Sequence, residues 1–206
     1  MKTPQDSEEF IAKQKIIRGE NTECASQNYN LGVSLMEQGR LDEAIRAFHD
    51  AISDSGRMFE AYVNLGYIYF KQGDLNRVID ANLKAIEIEP RYARGYANLG
   101  FAFLQVLRTE EAIQALKKAI ELNPEIIQAW SNLINAYLQN GEVEKAIETG
   151  KKAVEIAPDF ALAHNNLATA YYNNDEYENA IKHLDEAVRL GFEPHPEFLK
   201  VLAPHR

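Results

Sequence analysis

The chain has 206 residues, of which 46% are apolar, and its 31 acidic and 22 basic residues give a formal net charge of -9. The apolar fraction is large enough to bury a core, which excludes a disordered chain. The negative charge disfavours nucleic acid and anionic membrane surfaces as partners, because both are bound mainly through Lys and Arg.

The first segment, residues 1–24, carries the signals of a short amphipathic helix. Asp6 and Glu9 form a capping box, apolar residues follow, and Gly19 is placed to end the helix. Two roles stay open: the helix covers the first repeat described below, or it occupies a groove of its own chain or of a neighbour. Charge and proline at the start, no apolar run of about 18 residues and a single cysteine, Cys24, predict a cytoplasmic protein without an internal disulfide.

One asparagine recurs along the chain at a constant interval of 34 residues. Its five copies are Asn30, Asn64, Asn98, Asn132 and Asn166. A constant period of this length indicates a stacked-repeat protein. With residue 25 in the first position, the chain divides into five repeats, namely 25–58, 59–92, 93–126, 127–160 and 161–194.

Each repeat contains two apolar patterns with helical spacing, separated by turn residues such as EQGR or QNGE. In the third repeat the first pattern has Leu99 and Phe103 around a glycine at the eighth position. The second pattern has small residues at the twentieth and twenty-seventh positions, such as Ala112 and Ala119, which let two helices approach closely. Proline at the thirty-second position, as at Pro124, ends the second helix. Each repeat is therefore predicted to be a helical hairpin.

Two repeats depart from this pattern. The second has Asn82 at the twenty-fourth position, where a large apolar residue is usual. We predict that this amide is hydrogen-bonded, since an unpaired buried amide costs about 1–3 kcal/mol. The fourth has Ile134 in place of the eighth-position glycine and Gly150 in place of the large residue, so we expect the two to compensate each other in volume.

The combined pattern over residues 25–194 resembles the tetratricopeptide repeat family. The resemblance implies an all-α fold, a right-handed superhelical solenoid of antiparallel helix pairs. It also implies that the first helix of each pair lines a concave groove, which receives a peptide or a partner helix. No enzymatic activity is implied by such repeats.

The recurring asparagine, at the sixth position, lies roughly 150° around the first helix from the apolar positions and so points away from the hairpin core. A carboxamide both donates and accepts hydrogen bonds, so it can bind the backbone of a peptide whatever the side chains of that peptide are. We therefore predict that the asparagine ladder, defined as Asn30, Asn64, Asn98, Asn132 and Asn166, binds an extended segment. The alternative is that each amide only bonds the adjoining repeat.

Other residues complete the predicted groove, and they are Val33, Tyr67, Phe101 and Asn135 at the ninth position with the basic Lys71 and Arg94 nearby. Exposed aromatic residues at a repeated position suggest pockets for an apolar anchor. The alternatives are that Tyr67 and Phe101 pack against each other and that the two cations are only solvated surface charges.

The last segment, residues 195–206, is predicted to form a capping helix that begins near Pro196. A stack of repeats needs such a cap, because an uncovered terminal repeat exposes an apolar face. Phe198, Leu199 and Leu202 are the residues that we expect to cover it.

Sequence motifs for catalysis are absent. The five histidines and Cys24 have no shared metal-binding spacing, and there is no phosphate-binding glycine loop or nucleophile elbow. We therefore predict no enzyme activity, no cofactor and no metal, and a protein scaffold or adaptor that binds an extended peptide or helix of another protein. Two alternatives remain: a self-assembling scaffold that docks an end segment into a neighbouring groove, and an accessory subunit of an enzyme complex.

Overall fold

The structure, a computed structural model, describes residues 23–55 and 58–206. Every regular element within these residues is a helix, which confirms the predicted all-α fold. The predicted helix near the N-terminus lies outside the described residues. The helices are α1 (23–37), α2 (Leu41–Asp54), α3 (Phe59–Lys71), α4 (Leu75–Ile88), α5 (Ala93–Gln105), α6 (Thr109–Leu122), α7 (Ile127–Gln139), α8 (Val143–Ile156), α9 (Ala161–Asn173), α10 (Tyr177–Arg189) and α11 (Pro196–Leu202).

Consecutive helices form pairs. Three residues separate the two helices of each repeat, and so short a loop requires the helices to run antiparallel. Helix α3 packs on α4, α5 on α6, α7 on α8 and α9 on α10. The helical hairpins predicted from the 34-residue period are therefore confirmed.

The described residues divide into two compact units, which we call the N-terminal lobe (up to Pro90) and the C-terminal lobe (Arg91–Arg206). The N-terminal lobe contains α1 to α4, and the C-terminal lobe contains α5 to α11. Within the C-terminal lobe the hairpins stack, because α6 packs on α7 and α8 packs on α9. This stacking brings the first helices of successive repeats side by side.

Small residues set the spacing within each hairpin. Ala112 and Ala119 are fully buried, as the pattern of small residues predicts. A Cβ added at Gly32 would lie 2.7 Å from the ring of Phe48, and Gly100 stands in the same relation to Leu116. Glycine at the eighth position is thus required by the large side chain that packs over it from the second helix.

The two irregular repeats have different outcomes. Asn82 is buried and donates from Nδ2 to the carbonyl of Val78 at 2.8 Å, which confirms the predicted hydrogen-bonded amide. A Cβ added at Gly150 would lie 2.8 Å from Leu167 of α9, so the next repeat packs closely on this glycine. Ile134 is fully buried, and its compensation in volume for Gly150 stays a prediction.

The turn between the two helices of a hairpin has a left-handed residue at the fifteenth position of the repeat. Gly141 adopts φ 76° there, whereas Leu107 and Asp175 adopt φ 61° and 59° in the third and fifth repeats. An L-residue pays about 1–2 kcal/mol in this region. Leu107 is also 76% exposed, so its side chain gains little from packing.

The C-terminal segment lies against the last repeat. The ring of Phe198 meets the ring of Tyr172 edge-on, with centroids 5.7 Å apart. Leu202 is fully buried, and Leu199 is 39% exposed. Two of the three residues predicted to cover the last repeat are thus in contact with other parts of the lobe.

Candidate functional site

The first helices of the C-terminal lobe form one continuous surface. Helix α7 packs against α5 on one side and against α9 on the other. Side chains that point away from the hairpin cores of these three helices therefore lie next to one another. This is the surface on which the sequence places the groove.

An open groove of about 420 Å³ lies between α5 and α7. We call it the amide groove, and its lining residues are Phe101, Leu104, Gln105, Asn132, Asn135, Leu138 and Gln139. Three of these are apolar and four carry a carboxamide, and none is ionisable. The arrangement can bury an apolar side chain while its amides donate to and accept from a polar backbone.

Asn132 has the properties of an amide that is available to a ligand. It is half-buried in the amide groove, and within the described residues its carboxamide makes no side-chain hydrogen bond. The fifth position of the preceding repeat is Ala97, which has no polar side chain to offer. The neighbouring Asn135 is exposed.

Asn166 has the opposite surroundings. It is 5% exposed and donates from Nδ2 to Oγ of Ser131 at 2.8 Å and to the carbonyl of Ser131 at 3.2 Å. Asn165 donates in turn to Oδ1 of Asn166 at 3.3 Å. This amide bonds the adjoining repeat, which is the alternative that the sequence left open for the asparagine ladder.

The N-terminal lobe repeats this contact once. Asn64 donates from Nδ2 to the hydroxyl of Tyr29 at 3.3 Å, and Tyr29 occupies the same fifth position as Ser131. Asn30 is exposed in the same lobe, and Asn98 is exposed in the C-terminal lobe. The asparagine ladder is therefore not uniform, because hydroxyl groups at the fifth position engage two of its members.

The remaining predicted groove residues are not among those that line the amide groove. Tyr67 is 50% exposed, and the Lys71 ammonium lies 5.5 Å from the centre of its ring. Val33 is half-buried in the N-terminal lobe, and Arg94 is exposed at the start of α5. Of the predicted site residues, the amide groove brings together Phe101, Asn132 and Asn135.

Four residues of the amide groove were not predicted: Leu104, Gln105, Leu138 and Gln139. They occupy the twelfth and thirteenth positions, in the last turns of α5 and α7. The thirteenth position shares the outward face of the sixth at helical spacing, so Gln105 and Gln139 could have been found from the period. Gln139 also accepts a hydrogen bond from Thr109 Oγ1 at 3.2 Å, which fixes one wall of the groove.

No group of three or more His, Cys, Asp and Glu side chains in residues 23–55 and 58–206 could hold a metal ion. Over the same residues, no helix combines the length and the apolar character that crossing a bilayer requires.

Sequence comparison finds one family along most of the chain. Tetratricopeptide repeat profiles match residues 29–93, 93–126 and 161–191, and a TPR repeat profile matches residues 135–175. No curated protein matches the sequence.

Several solved structures resemble the chain. A crystal structure of MamA protein is 27% identical, with a TM-score of 0.76, and the match covers 84% of this chain and 99% of that one. YrrB, a TPR protein with an unusual peptide-binding site, is 23% identical, with a TM-score of 0.74 and coverage of 93% and 95%. PilF of Pseudomonas aeruginosa is 22% identical, with a TM-score of 0.70 and coverage of 85% and 80%. The last two likenesses concern the fold alone.

Proposed function

The chain belongs to the tetratricopeptide repeat family, and from this premise we propose that it is a protein-interaction scaffold whose amide groove binds an extended segment of another protein. Repeats of this family serve as interaction modules. The amide groove is the part of this chain that carries the proposal, because it joins apolar surface to carboxamides, of which that of Asn132 makes no side-chain hydrogen bond to any described residue.

The groove is suited to an extended segment because rigid helices hold both of its walls. Helices α5 and α7 pack directly on each other, so little ordering of the protein is required when a ligand binds. Asn132 and Asn135 lie nearly one helical turn apart on α7, and their amides can bond successive backbone groups. Phe101 and Leu138 supply the apolar surface for an anchoring side chain.

The ligand that fits this groove is uncharged where it is bound. None of the lining residues is ionisable, so a buried charge on the ligand would lose its hydration without gaining a counter-charge. The formal net charge of -9 also repels acidic peptides at long range. We therefore propose a segment with one or two apolar side chains flanked by neutral polar residues.

The test is selection of peptides from a displayed random library against the full chain, followed by affinity measurements on the enriched peptides. Enrichment of neutral segments with apolar anchors is expected. The double variant Asn132→Ala/Asn135→Ala should bind them at least about fivefold more weakly, because each lost hydrogen bond is worth about 0.5–1.5 kcal/mol. Its melting temperature should stay that of the wild type, since neither amide supports the core.

The matched control is Asn76→Ala/Gln114→Ala, which removes two exposed amides from second helices. It should leave peptide affinity unchanged. Equal affinity of the groove variant and the wild type would contradict the proposal. Light scattering over a range of concentrations tests the self-assembling alternative on the same sample, because that alternative requires a mass that rises with concentration.

A further inference from the structure

In the fourth and fifth repeats, a side chain of the first helix contacts a backbone carbonyl of the turn that precedes this helix. Trp130 Nε1 donates to the carbonyl of Pro124 at 2.8 Å, and His164 Nε2 lies 2.9 Å from the carbonyl of Pro158. Trp130 and His164 share the fourth position of their repeats, and the two prolines share the thirty-second. Because a carbonyl only accepts, His164 must carry its proton on Nε2. The fourth repeat thus uses a permanent donor and the fifth a titratable one.

A second histidine completes the contact in the fifth repeat. His183 of α10 places its Nδ1 atom 3.1 Å from Nδ1 of His164 on α9. Since the proton of neutral His164 is on Nε2, its Nδ1 accepts, and His183 must donate from Nδ1. The equivalent position of the fourth repeat is Thr149, which does not titrate in this range. The hydrogen bond between α9 and α10 therefore depends on the protonation of both rings.

The surroundings of the pair disfavour an added proton. His164 is 7% exposed, and the ring of Tyr171 stacks on His183 with centroids 5.6 Å apart. Lys182 and Glu186 of α10 are the charged groups that act on His183. Arg189 pairs with Glu186 and interacts with Asp159, and the Lys151 ammonium of α8 lies 5.8 Å from the centre of the Tyr171 ring. Burial, followed by the charges of His164 and Lys182, lowers the pKa of His183 from 6.5 to about 4, against the opposing effect of Glu186.

We propose that the His164–His183 pair is a proton-sensitive latch between the two helices of the fifth repeat. With both rings neutral, the Nδ1 proton of His183 bonds α10 to α9. A proton added to His183 places a cation in a partly buried site. The site between the two rings already holds the Nδ1 proton, so an added proton lowers the stability of the closed pair.

The direction of the pH effect follows from the lowered affinity of His183 for protons. The unfolded chain takes up a proton near pH 6.5 and the folded chain only near pH 4, so acid favours unfolding between these values. The stabilisation is complete above pH 6.5, is lost as the pH falls, and is exhausted below pH 4. The fifth repeat should therefore loosen in mildly acidic solution while the fourth, closed by Trp130, stays intact.

The fourth repeat supplies the variant that tests the latch. His164→Trp/His183→Thr transplants the residues of Trp130 and Thr149 into the fifth repeat. Between pH 7 and pH 5.5 the unfolding equilibrium constant of the wild type should rise more than that of the variant, by up to about tenfold. Urea denaturation followed by circular dichroism at both pH values measures this difference. Equal pH dependence in the two proteins would overturn the proposal.

Nuclear magnetic resonance of the wild-type chain tests the latch without any variant. The His183 ring should titrate well below pH 6.5, and His164 should carry its proton on Nε2. Amide exchange, corrected for its intrinsic pH dependence, should become faster in α9 and α10 at pH 5 before it does in α7 and α8. A His183 ring that titrates near the ordinary value of about 6.5 in the folded chain would refute the latch.

Discussion

The fourth and fifth repeats carry the same asparagine at the sixth position, but its side chain has opposite surroundings in the two. Asn132 lines the amide groove, whereas Asn166 is buried and bonded to Ser131. The fifth position of the preceding repeat accounts for the difference, because it is Ala97 before Asn132 and Ser131 before Asn166. A recurring residue therefore has no fixed role in a repeat protein, since its neighbour in the adjoining repeat decides whether its amide is available.

The largest expected effect comes from removing the bonded amide. Asn166→Ala should lower the free energy of unfolding by about 1–3 kcal/mol, because it leaves the buried hydroxyl of Ser131 without its partner. Asn132→Ala should change it by less than about 0.5 kcal/mol. Chemical denaturation of both variants measures the contrast. Equal losses would show that the two asparagines have the same role.

The turns of the same two repeats offer a second, smaller contrast. Gly141→Leu should cost about 1–2 kcal/mol, since it places a side chain in the left-handed conformation that the fourth repeat gives to glycine. Gly141→Asp should cost less, because the fifth repeat accommodates Asp175 at φ 59° and a short polar side chain can bond locally. The urea midpoints of the two variants test this order. A larger loss with Asp than with Leu would contradict it.

The smallest effect is expected from a variant that gives Asn132 the surroundings of Asn166. Ala97→Ser places a hydroxyl before Asn132, as Ser131 stands before Asn166, and the new hydrogen bond should stabilise the fold by about 0.5–1 kcal/mol. The same change should weaken peptide binding, because Asn132 is then engaged. Denaturation and affinity measurements follow the two effects.

Asn132→Ala provides the control background for this conversion. Without the amide, Ala97→Ser has no partner to bond, so it should neither stabilise the fold nor alter peptide affinity further. A stabilisation that persists in this background would mean that the serine acts through another group.

The period of the sequence was sufficient to predict the hairpins and the face on which the asparagines lie. It could not distinguish Asn132 from Asn166, because helical spacing gives the direction of a side chain and not the group that it meets. The sequence nevertheless contained this information, because Tyr29 and Ser131 carry at the fifth position the hydroxyls that bond the asparagine of the following repeat.

Other parts of the structure depend on contacts that are remote in sequence. Gln105 and Leu138 join the amide groove from different repeats, so no single helix reveals it. His164 and His183 are 19 residues apart, and this spacing corresponds to no metal motif. Stacking of the third repeat on the fourth brings the first two residues together, and the pairing of α9 with α10 brings the two histidines together. Helical spacing within one helix cannot give either contact.

Trp130 is the chain's single tryptophan, and it lies in the C-terminal lobe with its indole N–H bonded to Pro124. Its fluorescence is therefore an optical label of that lobe alone, whereas circular dichroism senses the helices of both lobes. Repeat proteins can unfold in parts, and unfolding curves from the two signals would then separate. The position of one indole thus makes it possible to follow the lobe that contains the amide groove and the histidine latch without adding a dye.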